Sequence, residues 1–418
     1  MRHLTVKENV DIEITATPEK HALTRMEASE LEAYIEEHQL QRKFIMWGNH
    51  SIRFINYVGF IQCPSFSMDI LPKLAIADDN DTARHTLLMM LDEVHQFHLS
   101  AQTLSKLSAS HYSLFHLFAA LYTETLLQEF KRGIHSQYQS TERNLYHVKG
   151  KLQMKQHLKQ NILKSQTHRV YCSFSEHSHN NIINQLFLAT NRLLMKHLNN
   201  RDVLFQLHTL NHQLYDVDHV IFNKEMLQHI HIDRTLQRYQ KAIHLAMLFQ
   251  QNFTGNIAIG KKNAYSLLFD MAELYEQYIA TLVQRYVQVK VTIQDNSHAL
   301  FTRQSKLAAR LYPDLVIQQH GKQRRIIIDT KWKAYHRRYG INEPDLVQMY
   351  KYLHAYADCE IAYVLYPETT TGTVGDNNIY EVIQEPNKKV IAETVPLVHK
   401  QESIDCLKAL VENDGISE

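Results

Sequence analysis

Asp314, Asp329 and Lys331, all within the stretch LYPDLVIQQHGKQRRIIIDTKWK (residues 311–333), have side-chain types and a spacing that suit joint chemistry. Side chains two apart on a strand face the same side, so Asp329 and Lys331 should project together, with Thr330 and Trp332 facing away. If LVIQQ pairs with RRIIIDT across the HGKQ turn, the strands are antiparallel and Asp314 falls beside Asp329. Two close carboxylates repel unless a cation lies between them, and hard oxygen ligands suit Mg²⁺, which keeps waters for substrate phosphate oxygens. A lysine beside that ion can orient or help deprotonate an attacking water, or stabilise the charge of a phosphorane-like transition state. The chemistry implied is metal-assisted phosphodiester hydrolysis. Read alone, the same residues also suit a solvated hairpin end, with Asp314 capping the turn after Pro313 and Asp329 paired to Lys331.

Two neighbouring features extend this reading. Gln348 and Tyr352, at i and i+4 on the helix EPDLVQMYKYLHAYA, share one face and can reach the hairpin end. Lys322, Arg324, Arg325, Lys333, His336, Arg337 and Arg338 cluster around the acids, and each can neutralise a backbone phosphate of DNA or simply form a solvated charged face.

The elements that must position these groups follow from pattern. A chain of 418 residues calls for two or three folding units, and 44% hydrophobic with 21% charged residues is the balance of a globular protein. With 11 glycines and 8 prolines, long flexible linkers are not expected and helix should dominate. A net charge of +1 points to no polyanion for the molecule as a whole, which leaves local clusters to do so. Cys63, Cys172, Cys359 and Cys406 form no CxxC pair, as expected of reduced thiols in a cytoplasmic protein. The sequence MRHLTVKENVDIEI lacks an apolar signal core, and no apolar run approaches a membrane span.

Along the chain, SIRFINYVGFIQ (51–62) and SFSMDILPKLAI (65–76) predict strands, with Pro72 closing the second. TARHTLLMMLDEVHQF, SLFHLFAALYTETLLQEFKRGI, KGKLQMKQHLKQNILK (149–164), NNIINQLFLATNRLLMKHL (180–198) and residues 236–251 predict helices. Gly255 and Gly260 bracket a break. After it come a helix over NAYSLLFDMAELYEQYIATLVQRY, the β-rich VQVKVTI, the hairpin, the Gln348 helix and the strand EIAYVLYP, an α/β unit of ordinary domain size.

PDLVI…IIIDTKWK resembles the core of the PD-(D/E)xK nucleases, and QMYKY resembles the Q-x-x-x-Y helix of RecB-like members. More specifically, the chain resembles the McrC subunits of McrBC modification-dependent restriction systems. The matching pieces are INYVGFIQ, DILPKL, FSEHSHNNIINQLF, LLFDMAELYEQYI, YPDLVI, IIDTKWK, DLVQMYKYLHAY and VLYP, in family order through most of the chain. The resemblance implies an α+β or α/β protein in which a β-rich and helical N-terminal region precedes a restriction-endonuclease-like core with a central mixed sheet. Its regions would be a partner-docking segment (1–135), a mainly helical middle (136–255) and a nuclease domain (256–418). It also implies catalytic Asp314, Asp329 and Lys331, supported by Glu276, Gln348 and Tyr352. Mg²⁺ or Mn²⁺ would be held by Asp314, Asp329, Glu276 and the backbone carbonyl of Thr330.

The implied activity is cleavage of double-stranded, 5-methylcytosine-containing DNA, together with stimulation of a McrB-like AAA+ GTPase ring. Asn56, Tyr57, Gly59, Pro72 and Lys73 are the candidate contacts to that ring, or else turn formers. A subunit that only stimulates its partner, and a nuclease that acts alone, are the competing expectations. GNIAIGKK (255–262) approaches a phosphate-binding loop, but Lys262 stands where Ser or Thr must hold Mg²⁺, so no nucleotide is expected on this chain. His177 and His179, like His229 and His231, lack further ligands at zinc spacing.

Overall fold

The computed structural model describes residues 2–19, 21–37, 45–73, 79–97, 99, 100, 102, 113–255, 264–303, 306–318, 324–369 and 378–412. Lys322, the HGKQ turn and most of GNIAIGKK lie outside them. Among the described residues no helix is long and apolar enough to cross a membrane.

The chain divides into two compact units, Met1–Phe115 with Asn252–Glu418, and His116–Gln251. This division differs from three consecutive regions, and the reason is a strand. LLFD was expected to begin a helix, but Tyr265–Asp270 is a strand, antiparallel to Tyr57–Gln62, and the helix starts only at Met271. The segment is apolar throughout, and at that length apolarity suits either element. The pairing builds the N-terminal strands and the strands between residues 253 and 270 into one sheet, in the order Arg2–Lys7, Phe66–Leu71, Tyr57–Gln62, Tyr265–Asp270, Phe253–Gly255.

SIRFINYVGFIQ likewise forms two strands, Ser51–Phe54 and Tyr57–Gln62, interrupted at Asn56 with its positive φ of 56°. Asparagine tolerates that left-handed conformation better than most residues. Gly59 has a φ of 133°, and a Cβ there would collide with the Leu267 carbonyl of the neighbouring strand. Only glycine fits.

The second sheet of this unit runs Lys290–Ile293, Leu315–Gln318, Arg325–Thr330, Cys359–Pro367, Glu385–Val395, Ile379–Val382. The first three strands pair antiparallel, and Arg325–Thr330, Cys359–Pro367 and Glu385–Val395 run parallel. It is therefore the mixed sheet expected. The helix Glu343–Ala355 makes the crossover between the first two parallel strands, started by Asn342, whose side chain accepts from the Asp345 amide, and by Pro344 in its first turn. Met349, Tyr352 and Leu353 of this helix join Val316, Ile327, Ala362 and Val364 of the sheet in one core. The helix Met271–Tyr286 is capped by Asp270, whose carboxylate accepts from the amides of Ala272 and Glu273.

In the other unit the strands Gln137–Leu145 and Val170–Ser178 pair along their full length. The segment 149–164, expected to be one amphipathic helix, forms the short strand Lys151–Leu152, a helical turn at Met154–His157 and a π-type turn at Leu158–Ile162. Its backbone is claimed by the sheet at Cys172 and Ser173, and buried Asn161 bonds to Asn144, His157 and the Arg169 carbonyl. The helices Ile182–His197 and Gln240–Asn252 form close to where the pattern placed them.

Candidate active site

The hairpin register pairs Leu315 with Ile328, which sets Asp314 and Asp329 at the same end of the two strands. Asp329 ends a strand of isoleucines and is 1% exposed. Its Oδ1 accepts from Gln348 Nε2 at 3.1 Å. Its Oδ2 lies 2.5 Å from Lys331 Nζ but has no partner in hydrogen-bonding geometry. Burial, and then repulsion from Asp314, outweigh the attraction of Lys331 and push the Asp329 carboxyl up to about 7.

Asp314 is held from across the hairpin. Its Oδ2 accepts from the Thr330 amide at 2.6 Å and the Thr330 hydroxyl at 2.7 Å. Burial still raises its pKa against those two bonds and the nearby Lys331. Thr330 was expected to face away, but at the strand end its hydroxyl turns to Asp314, a role that alternation alone does not show.

Lys331 Nζ donates to Gln348 Oε1 at 3.1 Å, so one amide bridges acid and base. Gln348 Nε2 also donates to the Tyr352 hydroxyl at 2.8 Å, and that hydroxyl donates to the Tyr312 carbonyl at 3.0 Å, two residues before Asp314. Burial lowers the affinity of Lys331 for its proton, but Asp329 and then the other surrounding acids more than offset this, and its pKa is raised. Lys331 is an ammonium at neutral pH.

Glu276 reaches the same region from the helix Met271–Tyr286. It accepts from Gln294 Nε2 at 2.8 Å, and burial, followed by repulsion from Asp314, raises its pKa. Gln294 was not among the residues singled out from sequence.

The cationic and N-terminal candidates are placed otherwise. Arg324 pairs with Glu360 at 2.9 Å and Arg325 with Asp358 at 3.0 Å, at the strand end opposite Asp329. Lys333 pairs with Asp345 at 2.5 Å, while Arg337 and Arg338 are exposed on the turn before the Gln348 helix. Asn56 takes the Met271 amide on its carbonyl at 2.8 Å, and Tyr57 donates to Asp270 at 3.0 Å. Gly59 and Pro72 are buried, whereas Lys73 is exposed and gives its amide to Glu8 at 3.3 Å.

Among the described residues no three His, Cys, Asp or Glu side chains come close enough to hold a metal by themselves. The arrangement suits a cation that keeps most of its waters: two raised-pKa carboxylates at one strand end, where the ammonium of Lys331 already lies against one of them. Asp314 and Asp329 would hold it, with Glu276 beside them.

The family model of the McrBC 5-methylcytosine restriction system component matches residues 52–367. A refined half-complex from a tetradecameric assembly of Thermococcus gammatolerans McrB AAA+ hexamers with bound McrC contains a chain of the same fold. Its TM-score is 0.69 at 17% identity, over 99% of this chain and 100% of that one. A chain of the T. gammatolerans McrBC complex solved by cryo-EM matches with a TM-score of 0.52 at 18% identity, over 68% of this chain and 88% of that one. At these identities the likeness is one of fold. A search of curated protein sequences finds no match.

Proposed function

The chain belongs to the family of McrBC 5-methylcytosine restriction system components, and on that premise we propose that it is the DNA-cleaving subunit of such a system. The observation that carries the reading is the convergence of Asp314, Asp329 and Lys331 at one hairpin end, tied together by Gln348 and Thr330. The substrate is double-stranded DNA carrying modified cytosine, and the bond broken is a phosphodiester.

Asp314 and Asp329 would hold Mg²⁺, which would supply a water of lowered pKa and draw charge from a phosphate oxygen. Asp329 must be ionised to bind it, and since burial and then the Asp314 carboxylate raise its pKa in the free site, metal and proton would compete there. Lys331, already protonated, orients the attacking water and stabilises charge on the transition state, and does not take the proton itself. Gln348 keeps the ammonium turned toward Asp329.

McrC of T. gammatolerans is bound to McrB AAA+ hexamers, and sharing its fold over 99% of the chain supports a similar partner here: a McrB-like GTPase ring that this subunit stimulates. The test is to purify the chain with that partner and measure DNA cleavage beside GTP turnover, with Mg²⁺ and with Mn²⁺. Cleavage lost in Asp329→Ala with assembly retained supports the reading. GTPase stimulation without cleavage under either metal overturns it in favour of a subunit that only stimulates.

A further inference from the structure

We propose that Glu8 is a positioning residue for the nuclease chemistry, acting through Trp332 on the backbone that carries Lys331. The inference rests on the nuclease reading of Asp329 and Lys331. Glu8 follows the first strand, Arg2–Lys7, and is fully buried. Its Oε1 accepts from Trp332 Nε1 at 2.9 Å and from the Lys73 amide at 3.3 Å. Its Oε2 has no hydrogen-bond partner among the described residues.

A buried carboxylate with an unsatisfied oxygen is expensive, and among the described residues this one makes no salt bridge. Burial pushes its pKa up to about 7, with Asp270 repelling the charge and Lys73 attracting it. For packing alone, an apolar residue would serve at lower cost. What the carboxylate does is hold an indole.

Trp332 directly follows Lys331, and its ring packs against Tyr275 at 5.4 Å between centroids, next to Glu276 in sequence. The indole is thus fixed at two points, by Glu8 at its nitrogen and by the Glu276 helix at its face. The Lys331 amide donates to the Leu365 carbonyl and the Lys331 carbonyl accepts from the Lys333 amide, each at 2.9 Å, so Trp332 sits inside the tight turn that carries Lys331 out of the strand. Freeing the indole loosens that turn, and misplacement of the lysine by about 1 Å is enough to cost orders of magnitude in rate.

The test uses the full chain assembled with its McrB-type partner, Mg²⁺ and modified double-stranded DNA under single-turnover conditions. Glu8→Ala and Trp332→Phe should each slow cleavage by about tenfold or more, with DNA affinity changed less than about twofold. The double variant should be no slower than the worse single one, because both cut the same link. Glu8→Gln, whose amide oxygen can still accept from the indole, should recover to within about threefold of the starting rate. In a Trp47→Phe background, the remaining indole N–H resonance should move in Glu8→Ala and stay nearly in place in Glu8→Gln. Full-rate cleavage by folded Glu8→Ala, or losses that multiply in the double variant, would overturn the proposal. An unsubstituted complex that does not cut would overturn the nuclease reading, and this inference with it.

Discussion

Thr330 donates both its amide and its hydroxyl to one oxygen of Asp314, at 2.6 and 2.7 Å, so the residue between Asp329 and Lys331 is also the one that holds the opposing carboxylate. Thr330→Val keeps the β-branched shape and the amide and removes only the hydroxyl. Cleavage should fall about tenfold and require more Mg²⁺ for half-maximal rate, with thermal stability nearly unchanged. A metal titration of the cleavage rate checks this, and an unaltered Mg²⁺ requirement would remove Thr330 from the site.

Gln348 is the only described side chain bonded to both Asp329 and Lys331. Gln348→Leu leaves the ammonium to Asp329 alone, and single-turnover cleavage should fall between about 10- and 100-fold, the usual range for residues that orient metal ligands. Gln348→Glu introduces a third carboxylate beside Asp329, and should be at least as slow at neutral pH.

Stability should depend on pH through Glu8. Its folded pKa, about 7, lies above the ordinary 4.5, so between those values the folded chain keeps a proton that the unfolded chain has released. Its contribution is greatest below pH 4.5, declines as pH rises to about 7, and is flat above, with a span on the order of 3 kcal/mol. Glu8→Gln should flatten that part of the profile and raise the melting temperature at pH 8. The groups facing Glu8 are Trp332, Lys73 and Asp270, and of these Trp332 and then Lys73 oppose the shift that burial causes, while Asp270 adds to it. Melting curves at pH 5 and pH 8 for both proteins check the sign.

Gly59→Ala places a methyl group against the Leu267 carbonyl at a backbone angle that alanine rarely adopts. The sheet joining the N-terminal strands to Tyr265–Asp270 should lose more than about 2 kcal/mol, measured by chemical denaturation. Loss of partner binding at unchanged stability would show instead that Gly59 lies on a docking surface.

The grouping of Asp314, Asp329, Gln348 and Tyr352 was legible because it rests on local rules. Two strand-like segments close in sequence favour an antiparallel pair, the register sets Asp314 and Asp329 at the same strand end, and i to i+4 spacing puts Gln348 and Tyr352 on one helix face. What was not legible depends on partners remote in sequence. Tyr265–Asp270 is a strand because Tyr57–Gln62 is there to pair with it, and nothing local distinguishes it from a helix start. Arg324, Arg325 and Lys333 formed one basic run in sequence, but Glu360, Asp358 and Asp345 pair with them in space.

The sheet that joins the N-terminal strands to Tyr265–Asp270 also bears on the order in which the chain can complete its fold. After residues 1–250 have been made, Tyr57–Gln62 still lacks its neighbour Tyr265–Asp270, and Glu8 has no indole to hold. A fragment beginning at residue 256 fares no better, since Tyr265–Asp270 would be an open edge and Trp332 would lose its acceptor. Neither half holds both the Tyr57–Gln62 pairing and the Glu8–Trp332 bond, so those two contacts form only once the chain has been made past Trp332.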